Sequence, residues 1–181
     1  METTAKLVRT RGFAATSMGD IVTESGAPKG SLYFHFPEGK DQLVAEALQH
    51  AGTATCSLMQ AALANTKGPR HGLETIMTLL AADLEGSEFT AGCPIGNVAA
   101  EAPDAEKTRA VVGDVFVAWE DVVKASLEKA GLKRKRAGEL ATFVLAVVEG
   151  ALVLAKAKRS LLPLENAKRE LAKVLASEGL S

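Results

Sequence analysis

Apolar residues recur at helical spacing along almost the whole chain, and no segment sustains the period of two that marks a half-buried strand. Thr3 to Arg11 reads as a short helix closed by Gly12. Thr16 or Ser17 caps a second helix to about Ser25, with Asp20 near its positive end. Gly26 supplies a left-handed stop, and Pro28 suits the first turn of a third helix that ends near Phe34. Phe36-Pro37-Glu38-Gly39 then breaks the chain before a long helix from Lys40 to about Ala64. In that helix Val44, Leu48, Ala51, Leu58 and Ala62 share a stripe, so one face is expected to be buried.

Beyond Gly68-Pro69 a fifth helix covers about His71 to Glu85. Gly86, Gly92, Pro94, Gly96 and Pro103 then interrupt the pattern and leave room for one short helical turn, Ile95 to Ala100. The helix from Asp104 to about Ala130 is acidic at its start and ends in Lys129, as its dipole favours. The basic run Lys133 to Arg136 reads as a solvated connection between helices. From Leu140 to Leu154 the next helix, about Ala137 to Arg159, is apolar nearly all round and must be covered on several sides. Pro163 opens a last helix with Leu164, Ala167, Leu171 and Leu175 on one face. These two final helices predict a four-helix contact between two copies of the chain.

An all-α fold therefore follows from the pattern, and composition adds limits. The 181 residues are 47% apolar, enough for a real core and too apolar for disorder. Net charge is −1, and the first 50 residues hold five Lys/Arg (Lys6, Arg9, Arg11, Lys29, Lys40) against six Asp/Glu (Glu2, Asp20, Glu24, Glu38, Asp41, Glu46). That is a thin electrostatic footprint for a DNA binder. Cys56 and Cys93 make no disulfide framework, and no signal peptide precedes the fold. No apolar run approaches the roughly 20 residues of a membrane span, since 137–155 holds Glu139 and Glu149. A cytoplasmic protein without a membrane partner is the expectation.

The strongest chemical signal is Thr16 to Lys40, TSMGDIVTESGAPKGSLYFHFPEGK. It reads as two short helices joined by a tight glycine turn, the arrangement that places a second helix in a major groove. Ile21, Val22, Leu32 and Phe36 supply the apolar contact between them. A recognition helix of about seven residues is roughly 10 Å long and enters the groove by its end. Lys29, Gly30 and Ser31 are small or cationic and can approach base edges, while Tyr33 and His35 can donate to phosphates. Lys40 opens the next helix, where backbone N–H groups also face an anion. Tyr33 and Phe34 are adjacent and cannot both face DNA, so Phe34 is assigned to the core.

With its RGFAATSM entry, SGAPKGSLYFHF core and following Lys, the segment from about Lys6 to Leu48 resembles the DNA-binding domain of TetR-type regulators. The resemblance implies a nine-helix subunit, a homodimer joined through the last two helices, and a C-terminal pocket for a small-molecule effector. Residue by residue it implies double-stranded operator contacts at Thr16, Ser17, Lys29, Gly30, Ser31, Tyr33, His35 and Lys40. It also implies a division into a DNA-binding domain, residues 1–48, and a ligand-binding and dimerisation domain, residues 49–181. GCPIGNVAAE (Gly92 to Glu101) and VEGAL (Val148 to Leu152) are similar to a subgroup of lincomycin- and flavonoid-responsive, LmrA/YxaF-like repressors. Two features depart from the pattern: Phe36 to Lys40 is one residue longer than usual, and Met1 falls almost inside the first helix. The second is read as a truncated or mis-started chain, whose upstream residues would add phosphate contacts.

Two other function classes compete for the same residues. Cys93 beside Pro94 invites a nucleophile reading, but no spacing pairs it with His35, His50 or His71, and a small buried thiol is the simpler assignment. Three His and two Cys lack metal-ligand spacing, so neither a metal, a cofactor nor an enzyme is expected. A helical interaction module without DNA keeps the apolar C-terminal helices and draws on the weak basic charge. The expected effector pocket is lined by Val112, Phe116, Trp119 and Val123, by Ile76, Met77 and Leu80, and by Phe143 and Val147. Phe89, Cys93, Ile95 and Asn97 would form its mouth. Met77 is an adaptable wall that suits a hydrophobic, aromatic or drug-like molecule.

Overall fold

Short helices need caps and anchors, and the first three illustrate how this sequence supplies them. Helix α1 (Glu2–Arg11) buries Thr4, Leu7 and Val8 on one face and ends at Gly12. Helix α2 (Met18–Ser25) starts on a capping box: Ser17 Oγ accepts from the Asp20 N–H at 3.1 Å, and the Asp20 carboxylate accepts from the Ser17 N–H at 2.8 Å. It stops at Gly26, whose φ of +65° is the left-handed conformation expected there. After Ala27 and Pro28 comes α3 (Lys29–His35), a helix of seven residues. Leu7, Ile21, Leu32 and Leu43 meet in one buried cluster, with Met18, Val22, Ala27 and Phe36 packed against it. Fully burying each such leucine or isoleucine contributes about 1.5–3 kcal/mol, enough to hold helices too short to be stable alone.

The computed structural model describes residues 1–101 and 103–180, and the regular structure among them is nine helices. The remaining six are α4 (Lys40–Ala64), α5 (Pro69–Gly86), α6 (Pro94–Glu101), α7 (Glu106–Lys129), α8 (Arg134–Lys158) and α9 (Leu162–Ser177). They gather into two units. The first contains Met1–Ala54 and Gly92–Phe116, so α6 and the start of α7 belong with α1 to α3. The second contains Thr55–Ala91 and the chain from Val117 onward. There α9 packs on α8 and on α5. Helix α8 buries Ala137, Leu140, Ala141, Val144, Val148, Ala151, Leu152 and Ala155, the three-and-four spacing of one helical face.

Several expectations change. Phe34 is 80% exposed rather than core. Leu32 and Phe36 take the inward side of α3, and a residue two positions from each points the opposite way. In α4 the buried stripe runs through Val44, Leu48, Gly52 and Met59, leaving Leu58 63% exposed. Gly52 explains the shift, because a Cβ there would lie 2.6 Å from a Val115 methyl. Its face of α4 is the one that α7 approaches closely. Arg134, Lys135 and Arg136 are the first turn of α8 rather than a connection, and Arg136 pairs with Glu139 and Glu178. Leu164, Leu171 and Leu175 are buried inside the chain's own second unit, so they are not an outward stripe. Finally, α8 is long and apolar enough to cross a membrane by length and composition, which corrects the expectation that no segment approaches that length. Its two glutamates fall short of excluding it, and 39% of its most apolar stretch is buried.

Candidate nucleic-acid interface

Helix α3 presents its residues outward almost without exception. Lys29, Gly30, Ser31, Tyr33, Phe34 and His35 are exposed, and Leu32 alone is buried. The Lys29 ammonium lies 5.9 Å from the centre of the Tyr33 ring, and the Phe34 and His35 rings meet edge-on at 5.3 Å. A Cβ at Gly30 would meet nothing within 4 Å, so the fold itself does not require glycine there. What the absent side chain provides is room for a close approach from outside. Donors, a cation and flat rings on the end of a short helix are the chemistry that reads phosphates and base edges.

The residues expected at the rim divide. Ser17 is exposed, and its backbone N–H and hydroxyl are engaged in the α2 cap. Hydrogen bonds from Ser17 hold the Asp20 carboxyl below its ordinary pKa. Thr16 is fully buried and donates its hydroxyl to the Gly12 carbonyl at 2.7 Å. Lys40 is half-buried, with its ammonium 4.0 Å from the centre of the Phe13 ring. Burial lowers its pKa, while the charge of Glu101 works in the opposite direction. Phe34, assigned to the core on sequence, is exposed beside these residues. The signal was present, since Leu32 and Phe36 already account for the inward face of a seven-residue helix.

Within the first unit, polar contacts tie the start of α6 to α1 and the start of α7 to α4. Arg9 Nε donates to the Gly92 carbonyl at 2.8 Å, and Asn97 Nδ2 donates to the Arg9 carbonyl at 2.7 Å. Asp41, in the first turn of α4, accepts from the N–H groups of Lys107 and Thr108 at 3.2 and 2.9 Å, capping α7. Burial pushes its carboxyl up, but the Thr108 and Lys107 hydrogen bonds outweigh burial and leave it lowered. Lys107 also reaches Glu38.

The expected effector residues fall in both units. Cys93, Ile95, Asn97, Val112 and Phe116 belong to the first, and Ile76, Met77, Leu80, Phe89, Trp119, Val123, Phe143 and Val147 to the second. Met77, Ile95, Val112, Trp119 and Val123 are buried; Phe143 is 46% exposed. Cys93 Sγ accepts from the Gly96 N–H at 3.3 Å at the start of α6. Two surface cavities lie in the second unit. One, of about 820 Å³, is open and polar and includes Lys67, His71, Glu74 and Lys168. The other, about 430 Å³ between α8 and α9, includes Val147, Gly150, Leu154 and Leu162. Among the described residues no cluster of three His, Cys, Asp or Glu side chains is arranged to hold a metal.

Residues 1–47 match the model of the bacterial regulatory proteins of the tetR family, and residues 69–170 match the C-terminal domain of LmrA/YxaF-like transcriptional regulators. The chain belongs to the TetR family. An uncharacterized HTH-type transcriptional regulator of Mycobacterium tuberculosis is 35% identical over 180 residues, 96% of this chain and 91% of the relative. The HTH-type regulator YxaF of Bacillus subtilis is 33% identical, covering 91% of this chain and 86% of its own length. A TetR transcriptional regulator from Legionella pneumophila shares the fold, with a TM-score of 0.82 over 93% of this chain and 90% of that one, at 20% identity. TetR-family proteins are DNA-binding transcriptional regulators that act as dimers, not enzymes. That sets aside both the enzyme and the helical module without DNA. The subgroup resemblance carried by Gly92 to Glu101 and by Val148 to Leu152 agrees with the LmrA/YxaF-like match.

Proposed function

We propose that this TetR-family protein is a dimeric repressor that leaves its operator when a hydrophobic or aromatic small molecule binds. The observation that carries the reading is the outward face of α3, where six of seven residues are exposed and all are suited to DNA. Lys29, Gly30 and Ser31 address base edges; Tyr33, Phe34 and His35 pack against sugars, methyl groups and phosphates; Ser17 flanks them. Thr16 supports this surface from beneath, and Lys40 stands at its edge. Binding to the chromosome places the protein in the cytoplasm.

Dimerisation in this reading uses the outer face of α8 and α9. Phe143, Val153, Leu154 and Leu162 are exposed there at 46, 63, 50 and 55%, a patch that calls for an apolar partner. Paired about a two-fold axis, two such faces make a four-helix contact and set the recognition helices one or more DNA turns apart. The effector binds the buried apolar interior of the second unit, beside Met77, Trp119 and Val123. Helices α4 and α7 each run from one unit into the other, so a ligand that prefers one tilt of them lowers operator affinity by its differential affinity and no more.

Trp119 is the single tryptophan and reports on this site directly. The experiment titrates flat aromatic and drug-like compounds against protein bound to a selected DNA duplex. Trp119 emission should change at the concentration that releases DNA, and Met77→Ala should shift both responses together. A compound that releases DNA while Trp119 emission stays constant would place the effector site elsewhere.

A further inference from the structure

Glu101 is the last residue of α6, and its placement is unfavourable for the helix that carries it. A carboxylate at a helix C-terminus faces the negative end of the dipole, so α6 gains nothing from glutamate there. The side chain is instead used across elements. Its Oε1 accepts from the Phe13 N–H at 2.8 Å and its Oε2 from the Ala14 N–H at 2.7 Å. Both oxygens of one carboxylate thus hold two consecutive backbone groups of the turn between α1 and α2. Charge-assisted bonds of this kind are the strong ones.

The surrounding residues are shaped for that approach. Gly12 is buried at φ +84°, and a Cβ added there would lie 1.9 Å from Glu101 Oε1. Glycine is favoured at this turn by its backbone conformation, and its missing Cβ leaves the carboxylate room for this position. On the other side of Phe13, the ring carries the Lys40 ammonium 4.0 Å from its centre. Thr16, four residues past Gly12, closes the turn by donating to the Gly12 carbonyl. The next residue, Ser17, is the cap of α2. Glu101 thus fixes the stretch of chain that sets where the first helix of the reading pair begins.

We propose that Glu101 is a positioning residue for operator binding, holding the α1–α2 turn so that α2 and α3 meet DNA in one fixed orientation. This rests on the DNA-binding reading and adds to it a residue outside the helix-turn-helix. Its sign is distinctive. An exposed carboxylate close to a DNA-reading surface repels phosphates, so on charge alone its removal would tighten binding. A positioning role requires the opposite.

The test uses the full chain and a duplex that the wild type selects from a random-sequence pool. Glu101→Ala should bind that duplex about tenfold more weakly, the scale of a lost charge-assisted bond. The slope of affinity against salt should stay unchanged, because no phosphate contact is removed. Amide exchange at Phe13 and Ala14 should accelerate. Glu101→Gln keeps one acceptor and should fall between the two. Affinity equal to or tighter than wild type in Glu101→Ala overturns the proposal. Should Glu101→Ala fail to fold, Glu101→Gln decides on the same criteria: weaker binding with an unchanged salt slope supports the proposal, and wild-type affinity overturns it. A wild type that selects no duplex overturns the DNA-binding reading and this proposal together, whereas failure of the Glu101 variants alone overturns only this proposal.

Discussion

Among the places where this protein leaves large apolar side chains in water, α3 and the α8–α9 face differ in their neighbours. On α3, Phe34 is exposed beside Lys29, Ser31, Tyr33 and His35, so each apolar surface lies next to a donor or a cation. On α8 and α9, Phe143, Val153, Leu154 and Leu162 are exposed with Ala146, Val147, Gly150 and Ala167 nearby, a mainly apolar surface whose polar groups are Lys158, Ser160 and Asn166. An apolar group among donors suits a polyanion that also offers methyl groups and sugar faces. A mainly apolar face with a few polar groups suits another protein surface. Exposure alone does not distinguish them; the company each side chain keeps does.

The sharpest way to break this comparison is to invert a face. Leu171 points into the second unit at 3% exposure, so Leu171→Glu buries a charge and should cost about 4 kcal/mol or more of stability in urea unfolding. A stable, dimeric Leu171→Glu protein would show that inner and outer faces of α9 have been exchanged. Leu154→Glu, at a residue 50% exposed, should leave the helical content intact and yield monomers at micromolar concentration in light scattering. Operator affinity should fall with it, since both half-sites are needed. A monomeric wild type under the same conditions contradicts the assignment of that face to a second copy.

Smaller effects sharpen the DNA side. Phe34→Ala should leave unfolding within about 0.5 kcal/mol of wild type, as exposed sites do. It should nevertheless weaken operator binding measurably in fluorescence anisotropy. Lys29→Ala should lose about 1–3 kcal/mol and relax sequence preference if it reaches a base. Equal operator affinity in wild type and Lys29→Ala would remove Lys29 from the reading surface.

The smallest expected effect is on pH. Asp20 and Asp41 both have lowered pKa values in the folded chain, through hydrogen bonds from Ser17 and, for Asp41, from Thr108 against the opposing effect of burial. A lowered folded value means that their stabilisation is present above the ordinary carboxylate range and is lost as pH falls through the folded values. Acid unfolding of Asp20→Asn and Asp41→Asn should therefore be less steep below about pH 4 than that of wild type. Curves that superimpose across that range would remove these two caps from the acid response.

Much of this was legible in the sequence, for reasons that differ by region. The boundaries of α2 followed from Ser17, Asp20 and Gly26 because capping and left-handed stops are local chemistry. Helix α3 was legible from Pro28 and the glycine turn, but the face of Phe34 was not, because in so short a helix only the packing of Leu32 and Phe36 fixes which side turns inward. The stripe of α4 needed tertiary information: Gly52 is buried against Val115, 63 residues away in sequence, and that contact moves the buried face toward Met59. The roles of Asn97, Asp41 and Glu101 were out of reach for the same reason. Each bonds to backbone groups far along the chain, and nothing in their local sequence marks the partner.

The most direct test of the DNA-reading account is selection of duplexes from a random-sequence pool by the wild-type chain, followed by sequencing. An enriched inverted repeat is predicted, with half-sites about 34–36 Å apart or a multiple of it, and enrichment should weaken for Phe34→Ala and Lys29→Ala. A pool with no enriched sequence, or one enriched equally by all three proteins, would contradict the assignment of α3 as the surface that reads DNA.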